Sequence, residues 1–95
     1  MLSDQGMGHR FDWDAKKARV NVAKHGVSFE EARTVFGDPL SLTVADPSVP
    51  DDEFRFVIIG RTTGDRLVVV SHAERGETIR IISATNRGSE RDESL

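Results

Sequence analysis

The chain has 95 residues, 37% hydrophobic and 31% charged, with a formal net charge of −3 and no cysteine. A chain this short buries roughly 60–70% of the surface its unfolded form exposes, which supports one core and excludes two domains. The absence of cysteine excludes disulfides and thiolate metal sites and gives no sign of an oxidising compartment.

The acidic balance does not announce a nucleic-acid binder, although a local basic face fits inside it. The apolar runs Val57–Ile59 and Leu67–Val70 fall far short of the ~20 residues that span a bilayer. The opening MLSDQGMGHR is polar and is not a secretory signal. These features predict a soluble cytoplasmic protein with no membrane association. Residues 1–10 are expected to be a flexible leader, 11–84 a single domain and 85–95 a polar acidic tail.

The first element is a helix. Asp14 offers a carboxylate to the free amides of a following turn and places negative charge at a helix N-terminus. Ala15, Ala18 and Val22 recur at helical spacing, and Gly26 suits the left-handed position just beyond His25. A second helix follows at once. Ser28 and Glu31 form an S-x-x-E capping box, Val27 precedes the cap and is placed to pack near Ala32, and Phe29, Ala32 and Phe36 make one apolar stripe. Gly37-Asp38-Pro39 ends it.

Strands take over from there. Leu40–Val44 alternates with period two, and the segment Asp46–Glu53, with four acids and two prolines, is a surface loop. Phe54–Arg61, Leu67–Ala73 and Thr78–Ser83 are rich in β-branched and aromatic residues and are separated by Thr63-Gly64-Asp65 and Arg75-Gly76. Such short connections force antiparallel pairing, so these three form a meander. The predicted class is α+β: two N-terminal helices packed on a twisted antiparallel sheet, with a C-terminal tail that is a short helix or disordered.

Period-two counting selects the candidate chemistry. Arg61 shares a face with Val57 and Ile59, His72 with Val68 and Val70, and Arg80 with Thr78 and Ile82. If the three lie on one side of the sheet, they form a cationic cluster on its open face. Such a cluster suits metal-independent RNA cleavage, in which the ribose 2′-OH is the nucleophile. Arginine forks bind phosphate oxygens, and a histidine near its ordinary pKa of about 6.5 moves the proton.

Each residue also has a plainer account. A strand-end arginine is commonly a solvated charge or an ion-pair partner, and His72 is also consistent with a capped or partly buried histidine. Arg75 sits in a Glu-Arg-Gly-Glu turn where charge is ordinary. Lys24 and His25 stand in a last helical turn, where positive charge complements exposed carbonyls. Lys24, His25 and Arg75 are therefore secondary candidates for gripping RNA or a protein partner. The histidines His9, His25 and His72 show no ligand spacing, no glycine-rich phosphate loop is present, and no cofactor or metal is expected.

The runs FDWDAKKARVNVAKHGVSFEEARTVFGDPL and EFRFVIIGRTTGDRLVVVSHAERGETIRIISA resemble the BrnT family, toxins of type II toxin–antitoxin pairs. The resemblance spans Phe11 to Ala84. It implies a fold similar to the RelE/ParE toxins, an mRNA-directed endoribonuclease activity that arrests translation, and a cognate BrnA-like antitoxin through which the complex represses its own operator DNA.

One segment departs from the family pattern. Thr85 stands where an arginine is common, and Gly88, Glu90, Asp92 and Glu93 replace a basic helical tail. That departure keeps open a degenerate, non-catalytic toxin serving as an antitoxin-binding co-repressor. Poisoning of DNA gyrase, as by ParE-type toxins, shares the fold.

Overall fold

A computed structural model describes residues 10–87. Its elements in order are β1 (Arg10–Asp12), α1 (Ala15–His25), α2 (Phe29–Ala32) running into a 3₁₀ segment (Arg33–Gly37), β2 (Leu42–Ala45), a 3₁₀ turn (Asp51–Glu53), β3 (Arg55–Arg61), β4 (Leu67–Arg75) and β5 (Thr78–Asn86). The class is α+β as expected, and β3-β4-β5 is the expected antiparallel meander. The sheet as a whole is mixed, not antiparallel. Its order is β1-β5-β4-β3-β2, and β1 runs parallel to β5. The alternation at Phe11–Trp13 is thus partly a strand, which a three-residue segment before a helix cap does not announce. β5 runs on through Asn86, past the Ala84 boundary read from the sequence. Of the tail expected at 85–95 as a short helix or disorder, Thr85 and Asn86 are instead strand, and residues 88–95 lie outside the described ones. No helix among the described residues is long and apolar enough to cross a membrane.

The helix ends follow local chemistry. The Asp14 carboxylate accepts from the Lys16 N–H at 3.1 Å, and Gly26, left-handed at φ 71°, donates its N–H to the Val22 carbonyl. The packed face of α1 differs from the predicted stripe. Val22 is 48% exposed, while Asn21 is the buried residue. Its amide donates to the Val27 and Ala84 carbonyls at 2.9 and 2.8 Å and accepts from the Ala84 N–H at 3.1 Å. The side chain thereby imitates a neighbouring strand where β1 has already ended. An unpaired buried backbone group is costly, so a polar residue wins this position over an apolar one.

Only half of the predicted capping box forms. Ser28 Oγ accepts from the Glu31 N–H at 3.0 Å, but the Glu31 carboxylate turns away to Arg66. The second helix also tightens after Ala32 into 3₁₀ geometry, with the Thr34 hydroxyl donating to the Glu31 carbonyl. Three residues per turn replace 3.6, so the fully buried stripe is Phe29, Ala32 and Val35, not Phe36. Phe36 shifts sideways onto Phe11 and His72.

The core lies between this stripe and one sheet face, where Val27, Ile58, Val68, Val70, Ile81 and Ala84 join it. Val27 and Ala32, read as neighbours across the cap, are both fully buried there. Gly60 permits the contact. A Cβ at that position would stand 3.0 Å or less from the Ser41, Asp38 and Val35 side chains. A register shift between Ser71 and His72 pairs Ser71 with Ser83 but His72 with Ile81, leaving Ile82 unopposed. The bulge switches the inward series of β5 from Ile79 and Ile81 to Ala84. Among the described residues no helix covers the opposite sheet face, and Leu42, Val44 and Ile59 are exposed on it.

Candidate functional site

Arg61, His72 and Arg80 do not come together. His72 points with Val68 and Val70 into the helix-covered face and is 1% exposed, stacked near Phe56 and edge-on to Phe36. Arg61 and Arg80 both belong to the open face but lie at opposite ends of it. Arg61 pairs with Leu67 and Arg80 with Ala73, and the six-residue separation along β4 is about 20 Å at ~3.3 Å per residue. The period-two count was sound within each strand, but it carries no information on which face two strands share.

A different cationic group gathers at one end. Arg55 on β3 and Arg80 on β5 flank Ala73 on β4 in a single row. Neighbouring strands lie ~4.8 Å apart, so the two arginine backbones are about 10 Å apart. Arg75, two residues beyond Ala73, shares that face. Ala73, between Arg55 and Arg80, is 4% exposed. Arg75 precedes the two-residue turn of the β4–β5 hairpin, where Gly76 at φ 60° takes the positive-φ position of a type II′ turn. Arg80 is held by Asp12, Nη1 to Oδ1 at 3.1 Å. Arg55 and Arg75 make no side-chain hydrogen bond or ion pair among the described residues, and Arg55 has only the longer-range attraction of Asp46.

These two arginines line a cavity of about 610 Å³ together with Asp52, Glu53, Phe54, Phe56, Ala73, Glu74 and Gly76. Phe54, read as the first residue of the strand, is instead a left-handed residue at φ 51° that enters it. That conformation costs a bulky side chain about 1–3 kcal/mol and persists only when its surroundings impose it. Here the Glu74 N–H donates to the Phe54 carbonyl at 3.0 Å, and the β3–β4 ladder begins immediately after.

His72 meets this cavity from behind. Its Nε2 lies 3.3 Å from Glu74 Oε2, and its Nδ1 has no hydrogen-bond partner. Burial holds the imidazole below the usual histidine range, against the opposing pull of Glu74 and the Val70 backbone. The buried ring is thereby tied through Nε2 to a carboxylate that lines the cavity.

Lys24 and His25 are exposed at the end of α1. Lys24 and His25, together with Lys16, Lys17, Ile82 and Ser83, line a separate cleft of about 310 Å³ beside β5. Among the described residues, no group of three or more His, Asp or Glu side chains is placed to hold a metal.

A family model described as the ribonuclease toxin, BrnT, of type II toxin–antitoxin systems matches residues 13–93. The chain belongs to the BrnT family. The fold agrees. The crystal structure of the Brucella abortus ribonuclease toxin BrnT superposes with a TM-score of 0.66 at 21% identity, over 83% of this chain and 96% of that one. Comparison with curated proteins finds no match. Membership makes this chain a ribonuclease toxin of a type II system, a class that implies an antitoxin partner.

Sequence reasoning overlooked Arg55, Phe54 and Glu74. Arg55 was within reach, because it continues the Val57, Ile59 and Arg61 series by one step. Phe54 was not, since nothing in an acidic loop followed by an aromatic signals a positive φ.

Proposed function

We propose that this BrnT-family toxin is a metal-independent endoribonuclease that cleaves mRNA and arrests translation. A BrnA-like, DNA-binding antitoxin neutralises it and carries the complex to operator DNA. The observation behind the reading is the pair Arg55 and Arg75, with no ion pair among the described residues, which line one cavity from the open face of the sheet while Glu74, two residues beyond His72, lines it from the helix-covered side. Unneutralised arginines at a concave site are suited to phosphate, and each binds two oxygens in a planar fork.

In the proposed reaction the RNA supplies its own nucleophile, so no metal-bound water is required. Glu74 takes the proton of the ribose 2′-OH, the 2′ oxygen bonds to the adjacent phosphorus, and the bond from phosphorus to the 5′ oxygen breaks. Arg55 and Arg75 stabilise the negative phosphorane, and Arg80 adds its charge from across Ala73. The leaving 5′ oxygen takes a proton from water entering the open cavity. The products end in a 2′,3′-cyclic phosphate and a 5′-hydroxyl.

His72 is a positioning residue for Glu74. Arg61 is too distant to belong to the same site. Lys24 and His25, with Lys16 and Lys17, offer a second contact for RNA or antitoxin. The co-repressor alternative rests on Thr85 and the acidic tail. Thr85 pairs with Val69, four residues along β4 from Ala73, and the family match runs through residue 93. Thr85 therefore lies away from the arginine row.

The test is incubation of the purified chain with single-stranded RNA in the presence of a chelator. Cleavage leaving 2′,3′-cyclic phosphate ends is the expected result, slowed ~10²–10⁴-fold by Glu74→Gln. Cleavage only after a divalent cation is restored overturns the metal-independent reading, and a wild-type rate in Glu74→Gln overturns the base assignment.

A further inference from the structure

Among the described residues, Phe11, Trp13, Phe29, Phe36 and Phe56 each make a ring contact with another aromatic or imidazole side chain, and Phe54 makes none. Its side chain is 59% exposed, so burial does not offset its left-handed backbone at φ 51°. Glycine or asparagine would hold that conformation at less cost. A large ring is nevertheless fixed there, at the wall that also carries Arg55 and Arg75.

We propose that Phe54 is a stacking platform for an unpaired nucleobase of a single-stranded RNA. The inference rests on the ribonuclease reading and adds to it a residue that sets affinity and cleavage-site preference. Single-stranded RNA is recognised by stacking splayed bases on aromatic rings while cations hold the neighbouring phosphate. Arg55 follows Phe54 directly, and Arg75 lines the same cavity. A base on the ring would therefore place its own phosphate at the guanidinium groups.

The experiment uses the full chain and a short RNA blocked by a 2′-deoxy sugar at the cleavage position. Phe54→Trp is expected to bind it with a change in tryptophan emission that the wild type, carrying only Trp13, does not show. Phe54→Ala and Phe54→Gly should weaken binding about 10- to 100-fold and shift the cleavage pattern of ordinary RNA. The glycine variant separates function from structure: relief of the backbone should leave its thermal midpoint unchanged or raised while binding is lost.

A lower midpoint with unchanged binding makes Phe54 structural and overturns the proposal. Wild-type cleavage with affinity and pattern unaltered in Phe54→Ala overturns it too, while the nuclease reading stands. If wild type cleaves nothing but Phe54→Ala still weakens the blocked RNA, the platform stands and the nuclease reading falls. Loss of antitoxin binding in Phe54→Ala with RNA binding intact makes the ring a protein contact, and the proposal fails.

Discussion

The two ends of the β3–β4–β5 meander differ in how fully their polar groups are occupied. At the Arg61 end nearly every one is engaged. Asp38 accepts from the Arg61 and Leu40 amides at 2.7 and 2.9 Å, which holds its carboxyl below the usual range. Glu31 receives Arg66 bidentately at 2.7 and 3.0 Å and the Thr62 hydroxyl at 2.8 Å, while Arg66 also donates to the Gly26 carbonyl. Arg61 itself leans on Asp65. At the Arg55 end, two guanidinium groups have no partner among the described residues, an aromatic ring stands in solvent, and a buried histidine leaves one nitrogen unsatisfied. Charges that the fold consumes stabilise it; charges it leaves unpaired are available to a ligand.

Substitutions can break that distinction. Arg55→Ala and Arg75→Ala should each reduce RNA cleavage ~10²–10³-fold with an unchanged thermal midpoint. Cleavage kinetics and calorimetry on the same samples decide it, and a stability loss without a rate loss would reverse the roles of the two ends. Arg66→Ala should do the opposite. It removes charge-assisted hydrogen bonds worth about 1.5–3 kcal/mol when buried, discounted here because both partners are partly exposed. A denaturant titration should show a loss nearer 1 kcal/mol, with cleavage unchanged. The Glu31 carboxyl is lowered chiefly by its hydrogen bond from Arg66. Its stabilising effect is full above the ordinary carboxylate range and lost as pH falls through the depressed folded value, and Arg66→Ala should reduce that acid sensitivity, leaving the part that the Thr62 hydroxyl contributes.

His72 gives a slope instead of a step. Its folded pKa lies below the unfolded value of about 6.5, so the unfolded chain binds the extra proton first. Stability is full above that pH and declines as pH falls towards the folded value, by at most about 1.4 kcal/mol per pH unit. Thermal midpoints measured between neutral and mildly acid pH should flatten in His72→Leu, and cleavage should slow because Glu74 loses its imidazole partner. Arg61→Ala should change least, within about 0.5 kcal/mol in stability and with no effect on cleavage. A large cleavage defect there would return the site to the opposite end of the sheet.

Local signals were readable from residues alone because local physics produces them. Asp14, Ser28 and Gly26 bound the helices through bonds made within a few residues, and short turns forced the meander. The same reading assigned Glu31 to a capping box. It could not weigh the local amide of Ser28 against Arg66, 35 residues later, which offers the carboxylate a stronger, charged donor. Nor could it place Asn21, whose partner is the Ala84 peptide at the far end of the chain.

The sequence by itself determined the helix caps, the antiparallel meander, the family and the kind of residue that serves phosphate chemistry. Tertiary structure alone decided which of those residues meet. The strand pairing, with its shift between Ser71 and His72, sends His72 inwards and brings Arg55, Arg75 and Arg80 around Ala73. Alternation fixes only the relative faces within one strand; which side of the sheet each set occupies depends on what the helices bury. That choice was made by Phe29, Ala32 and Val35, which cover one face and leave the arginines on the other.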